Sequence, residues 1–199
     1  VKIVYQGGTW TYDDPAELRY WPKDTLDFYA VSPAAVLDYD CMAHYTWSYN
    51  HKQQRIRYTC YNEYAGTPHE NHDVMYAIAQ NQTKKTGEGK VHLIFKHILS
   101  QVVFKAKTEL STMEVTIKKI DINNVNISGM FTLPTDADTN PTANDWSLEE
   151  ANSPCTITQE EIAVKTSVTD ISEKKPSLII PQVLTKWDVT DSNTKTIAQ

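Results

Sequence analysis

The apolar positions of this chain fall two residues apart in short runs, the spacing of strands with one buried and one wet face. "QRIRYTC" is the plainest case: Ile56, Tyr58 and Cys60 share one face, and Arg55, Arg57 and Thr59 the other. The same alternation runs through Val125, Ile127, Gly129, Phe131 and Leu133. In the first forty residues, "VKIVY", "TWTY", "LRYWP" and "TLDFYAVSP" read as short strands separated by the turn signals "QGG" and "DDPAE". "VMYAIAQ" reads as a strand between two loops, "AGTPHENHD" and "NQTKKTGEGK". After residue 154, "CTITQ", "IAVKTSV", "SLIIPQVL" and "KWDV" complete the series.

The rhythm breaks in two places. Val91, Leu93 and Phe95 share one face, whereas Val102, Phe104 and Ala106 follow with opposite parity. A one-residue slip would turn every inward side chain outward. "HILSQ" is therefore expected to hold a β-bulge, with a short helical turn as the alternative, because Phe95, Ile98, Leu99 and Val102 also fit helical spacing. Farther on, Val115 and Ile117 are followed by Ile120 and Ile122 in the other phase, and "INNVN" reads as the turn between two strands. Residues 134–154 are expected to form a long surface loop anchored by Trp146, and 189–199 a flexible tail. No repeats interrupt the series, so residues 1–199 are expected to form a single all-β domain, a sandwich or barrel.

Composition supports the β reading and narrows the function. The chain holds 23 Thr and 11 Tyr among 199 residues, types that suit a pleated, half-buried surface. A net charge of −6 with no Lys/Arg cluster removes the phosphate attraction that dominates nucleic-acid binding. No run of 18 apolar residues is present to span a bilayer as a helix, and Val1 opens on a strand-like run rather than a signal peptide. Cys41, Cys60 and Cys155 match no zinc or redox spacing. A Cys41–Cys60 disulfide is one reading of them, and reduced, buried thiols are the favoured one.

Reactive groups are sparse. In "HENHD", His69, His72 and Asp73 could gather on one metal, with His44 and His51 nearby, but the two histidines are three apart rather than the four of a zincin helix. A solvated loop is the simpler account. His97 and Ser100 lie close in sequence, yet no nucleophile elbow occurs, and His97 is expected to face the interior or its bulge with its ring nitrogens hydrogen-bonded. "KTGEGK" lacks Walker spacing. No catalytic residue, cofactor site or metal site is assigned. The remaining candidate is aromatic: Trp10, Tyr12, Tyr20, Trp21, Tyr45, Trp47, Tyr49, Tyr58, Tyr61 and Tyr64 crowd the first third. Core packing accounts for most of them, and an exposed subset would offer a surface for stacking on sugars.

"GKVHLIFKHILSQVVFKAKTE" through "VTIKKIDINNVNISGMFTLP" resembles the fimbrillin-like family of Bacteroides-type surface lipoproteins and pilus subunits. The matching positions are Leu93, Phe95 and His97 in an L-x-F-x-H strand, and Gly129, Phe131 and Leu133 in a later Gly-x-Phe-x-Leu strand. "YWPKDTLDFYAVSP" and "SLIIPQ" resemble two further blocks of the family in the same order. The resemblance implies a transthyretin-like Greek-key β-sandwich of about seven strands with long loop insertions, and no enzymatic activity. It implies export to the outer membrane or cell surface, a lipid anchor that this sequence does not include, and a role as an adhesion or fimbrial subunit. A second family domain is expected to be absent. Other pilus subunits, joined by strand donation, and surface glycans or proteins are the partners it implies; a carbohydrate-binding module is the alternative function.

Overall fold

The computed structural model describes residues 1–34, 43–48, 53–60, 73–122, 125–149, 155–156, 161–171 and 177–184. Strands account for the regular structure, joined by short 3-10 turns. β1 (Ile3–Gln6) and β2 (Thr9–Tyr12) form a hairpin of their own. β3 (Leu26–Ser32), β4 (Ala43–Ser48), β5 (Gln53–Thr59), β6 (Met75–Gln82) and β7 (Lys96–His97) follow. Next come β8 (Ser100–Val102), β9 (Lys105–Ala106), β10 (Val115–Ile117), β11 (Asp121–Ile122), β12 (Ser128–Thr132) and β13 (Trp146–Glu149). β14 (Cys155–Thr156), β15 (Ile162–Val164), β16 (Thr169–Asp170) and β17 (Ser177–Ile179) are the last strands among the described residues.

Two sheets build the centre. One has the order β13-β12-β5-β4 and the other β3-β6-β7, with antiparallel neighbours throughout. The β5–β12 ladder continues past the strand ends through Cys60 N–H to Ile127 O (2.6 Å) and Leu133 N–H to Gln54 O (2.9 Å). The two-residue alternation has the effect expected of it. Ile56, Tyr58, Cys60, Phe131 and Leu133 are buried in one core with Tyr76 and Ile78 of β6, while Arg55 and Arg57 point to water. The Tyr76 ring of one sheet meets Phe131 of the other at 5.5 Å, and Phe131 meets Trp146 at 5.3 Å. Burial of each such side chain contributes roughly 1.5–3 kcal/mol.

Gly129 has a packing reason. Phe131 pairs with Trp146 across β12 and β13, and the indole leans back over Gly129. A Cβ there would lie 3.1 Å from Ser147 O and 3.2 Å from Trp146 Cε3. The absent side chain lets the indole enter the core.

Beyond the two sheets, residues 100–122 run antiparallel to 155–179 in four short pairs: β8–β17, β9–β16, β10–β15 and β11–β14. The register changes from each pair to the next, which is the structural form of the slipped phases in the sequence. Single bonds from Ile171 N–H to Phe104 O (2.8 Å) and Thr108 N–H to Lys165 O (2.9 Å) carry the pairing between them.

The chain is all-β as expected, with two sheets about one core, and the described residues form 17 short strands where about seven were expected. No helix forms at "HILSQ". Ile98 and Leu99 are both buried, as at a bulge, because the chain leaves β6, its partner at β7, and takes β17 at β8. Residues 91–95 are not a strand, and Ile94 is 76% exposed. "LRYWP" is irregular and exposes Tyr20. The expected loop at 134–154 instead contains a capped turn (Ala143–Asp145) and the border strand β13, with Trp146 its buried anchor. β11 and β12, expected to flank a simple turn, belong to different sheets; residues 123–124 lie outside the described residues.

Candidate functional site

His97 has the geometry of a surface tie. The register brings it opposite Met75, beside the approach to β6, and its Nδ1 lies 2.7 Å from Asp73 Oδ2. The imidazole is 63% exposed, so the expectation that His97 faces the interior is corrected: the inward positions are Ile98 and Leu99. A contact this open to water is worth about 0–1 kcal/mol. Among the described residues no hydrogen bond joins Ser100 to His97, and no nucleophile completes the Asp73–His97 pair. Nor do three or more His, Cys, Asp or Glu side chains converge to hold a metal. His69, His72, His44 and His51 fall on residues whose side chains are not described, as does Cys41, so the Cys41–Cys60 pairing lies outside the described residues. Cys60 is buried with its Sγ 3.6 Å from Leu178 O.

Next to His97, Lys96 does different work. Its Nζ donates to Ala137 O (2.6 Å) and Thr139 O (2.9 Å). Gln80 Nε2 donates to Thr135 O (3.0 Å), and the Tyr76 hydroxyl reaches Thr139 O at 3.5 Å. These bonds draw the segment leaving β12 across β6 and β7, so one loop straps the two sheets together. Burial first, and then the nearby Asp145 carboxylate, pushes the Tyr76 phenol up to about 12.

What the molecule offers outward is strand borders and aromatic rings. Among the described residues, β4 and β13 border one sheet, β3 and β7 the other; a border strand turns a row of N–H and C=O groups away from its sheet. Of the aromatic residues crowded into the first third, Tyr58 is buried, Trp21 is half-buried edge-on to Phe28, and Trp10 and Tyr20 are exposed. The side chains of Tyr45, Trp47, Tyr49, Tyr61 and Tyr64 are not described. Tyr5, which the sequence reading passed over, stands directly across the hairpin from Trp10 with ring centroids 5.3 Å apart. Its signal was there: Ile3 and Tyr5 alternate into a Gly-Gly turn, and Trp10 and Tyr12 alternate out of it.

A family model described as fimbrillin-like matches residues 1–198. One solved structure to which the chain is similar is a fimbrial protein from Bacteroides vulgatus ATCC 8482, with a TM-score of 0.67 and 16% sequence identity. The likeness covers 90% of this chain and 61% of that one, so the chain spans about three-fifths of that protein's length. At this identity the likeness is one of fold. No curated protein matches.

Proposed function

The chain belongs to the fimbrillin-like family, and from that membership we propose that it is a non-catalytic fimbrial or adhesion module exposed at the cell surface. Residues 1–199 are read as one transthyretin-like sandwich domain, tethered through a lipid anchor at the outer membrane. The observation that carries the reading is the match of the family model to residues 1–198. The borders of the two central sheets suit it, because a border strand offers backbone groups to another chain.

Assembly is proposed to proceed by strand addition, in which one subunit's extended segment satisfies the backbone groups along a neighbour's sheet border. Affinity in such a joint comes from main-chain hydrogen bonds, so it needs little side-chain specificity. The residues after Leu184 are the proposed donor. Truncation after Leu184 keeps the Gln182–Asn126 hydrogen bonds (2.9 Å each) and removes only the segment beyond them. Light scattering and negative-stain microscopy of the intact chain at high concentration should show oligomers, and the truncated chain should lose them. Equal oligomers with and without the segment, or none in either, would overturn the assembly reading.

A further inference from the structure

The β1–β2 hairpin is a sheet of its own and carries a chemistry different from that of the sheet borders. Gly7 (φ +60°) and Gly8 (φ +83°) make a tight turn with open space around both, and the Lys2–Asp13 ion pair (3.0 Å) closes the base. Between these ends, residues 3–12 read "IVYQGGTWTY", ten positions without one charged side chain in a chain that is 22% charged. Tyr5 and Trp10 lie 61% and 67% exposed on one face, their rings tilted by 57°. The register places Ile3 and Tyr12 on the same face, and the Tyr5 hydroxyl and the indole N–H supply hydrogen-bonding groups at the ring edges.

We propose that the Tyr5–Trp10 pair is a stacking site for a neutral sugar ring of a surface glycan. Two observations choose this occupant over a protein. The face is small: two aromatic side chains at about 150–250 Å2 each fall short of the ~800 Å2 that each partner buries in a stable protein interface. The face is also uncharged, its one ion pair being satisfied internally at the base, so it offers nothing to a charged ligand and suits one built of C–H patches and hydroxyls. An indole or phenol face meets the apolar side of a pyranose while the hydroxyl and N–H at the ring edges meet its hydroxyls. The site does not depend on strand addition, and either could fail without the other.

The test uses the intact chain on a printed array of neutral oligosaccharides of glucose, galactose, mannose and N-acetylglucosamine, with their sialylated and sulfated derivatives alongside. A neutral hit is then titrated by calorimetry and by quenching of tryptophan fluorescence. Trp10→Ala and Tyr5→Ala should each weaken binding by about tenfold, Trp10→Phe should weaken it less, and none should move the thermal midpoint, because both rings stand outside the core. Any of four results would overturn the proposal: no neutral glycan bound, wild-type affinity in Trp10→Ala, binding confined to charged glycans, or a change of oligomeric state in Trp10→Ala without glycan binding. The last would place the rings in a protein contact instead.

Discussion

Replacing Gly129 with Ala tests the packing that joins β12 to β13. A methyl group at this position would sit 3.1 Å from Ser147 O and 3.2 Å from Trp146 Cε3, and neither neighbour can yield freely: Ser147 is held opposite Met130 in the ladder, and the indole is wedged against Phe131. Forcing an extra carbon into a filled core costs about 1–3 kcal/mol. Alanine in a strand recovers roughly 0.5–1 kcal/mol, because glycine loses more backbone freedom on folding. The balance is a loss of about 1 kcal/mol, or about 2–4 °C in Tm for a chain of this length. Calorimetry reads the shift, and the near-ultraviolet circular dichroism of Trp146 reports the displaced indole. Gly129→Val, with two more carbons, should lose about 3 kcal/mol. Trp146→Phe should reduce the penalty of Gly129→Ala, giving a favourable coupling in a double-mutant cycle. An unchanged or raised Tm in Gly129→Ala, or penalties that merely add, would refute the reasoning.

Three further outcomes are expected. Lys96→Met removes the donors to Ala137 O and Thr139 O; the first bond is half-buried and the second exposed, so the loss should be about 1–2 kcal/mol, with faster amide exchange confined largely to residues 134–145. In the Tyr76 phenol, raised to about 12 by burial and Asp145, the folded state keeps a proton that the unfolded chain releases near 10. Its contribution is therefore intact below pH 10 and lost as pH rises toward 12, by about 2–3 kcal/mol; alkaline unfolding monitored by tyrosinate absorbance should show this loss in the parent and not in Tyr76→Phe. A double-mutant cycle on Asp73→Asn and His97→Gln should return a coupling below about 1 kcal/mol at neutral pH, because both side chains are open to water.

Where one face is buried and the other wet, the sequence was readable residue by residue. Ile56, Tyr58 and Cys60, and the run from Val125 to Leu133, lie inward as their spacing required. Where a strand changes partners, period alone misleads. The segment at 91–97 looked like a strand aimed at the core, yet it lies along the surface until Ile98, because the contacts that decide its orientation come from β6, β17 and the strap at 135–139. β13 was hidden by a polar stretch: a border strand buries little, so only Trp146 marks it, preceded by the Thr142–Asp145 capping box. For the candidate site, the crowding of aromatic residues was visible, but exposure was not. Tyr58 and Trp10 look equally suited to stacking as letters, and burial separates them. Partner choice between distant strands, such as β5 with β12, has no local signature.

The four-part pairing of residues 100–122 with 155–179 also dictates an order of events at birth. Ile122 meets Cys155 while Ser100 waits for Ile179, so the innermost rung closes the shortest loop at the least entropic cost and the outer rungs follow. A ribosome delivering the chain from its amino end exposes the first half of this zipper long before the second half exists. The zipper thus fastens from the inside outward once its second half has emerged.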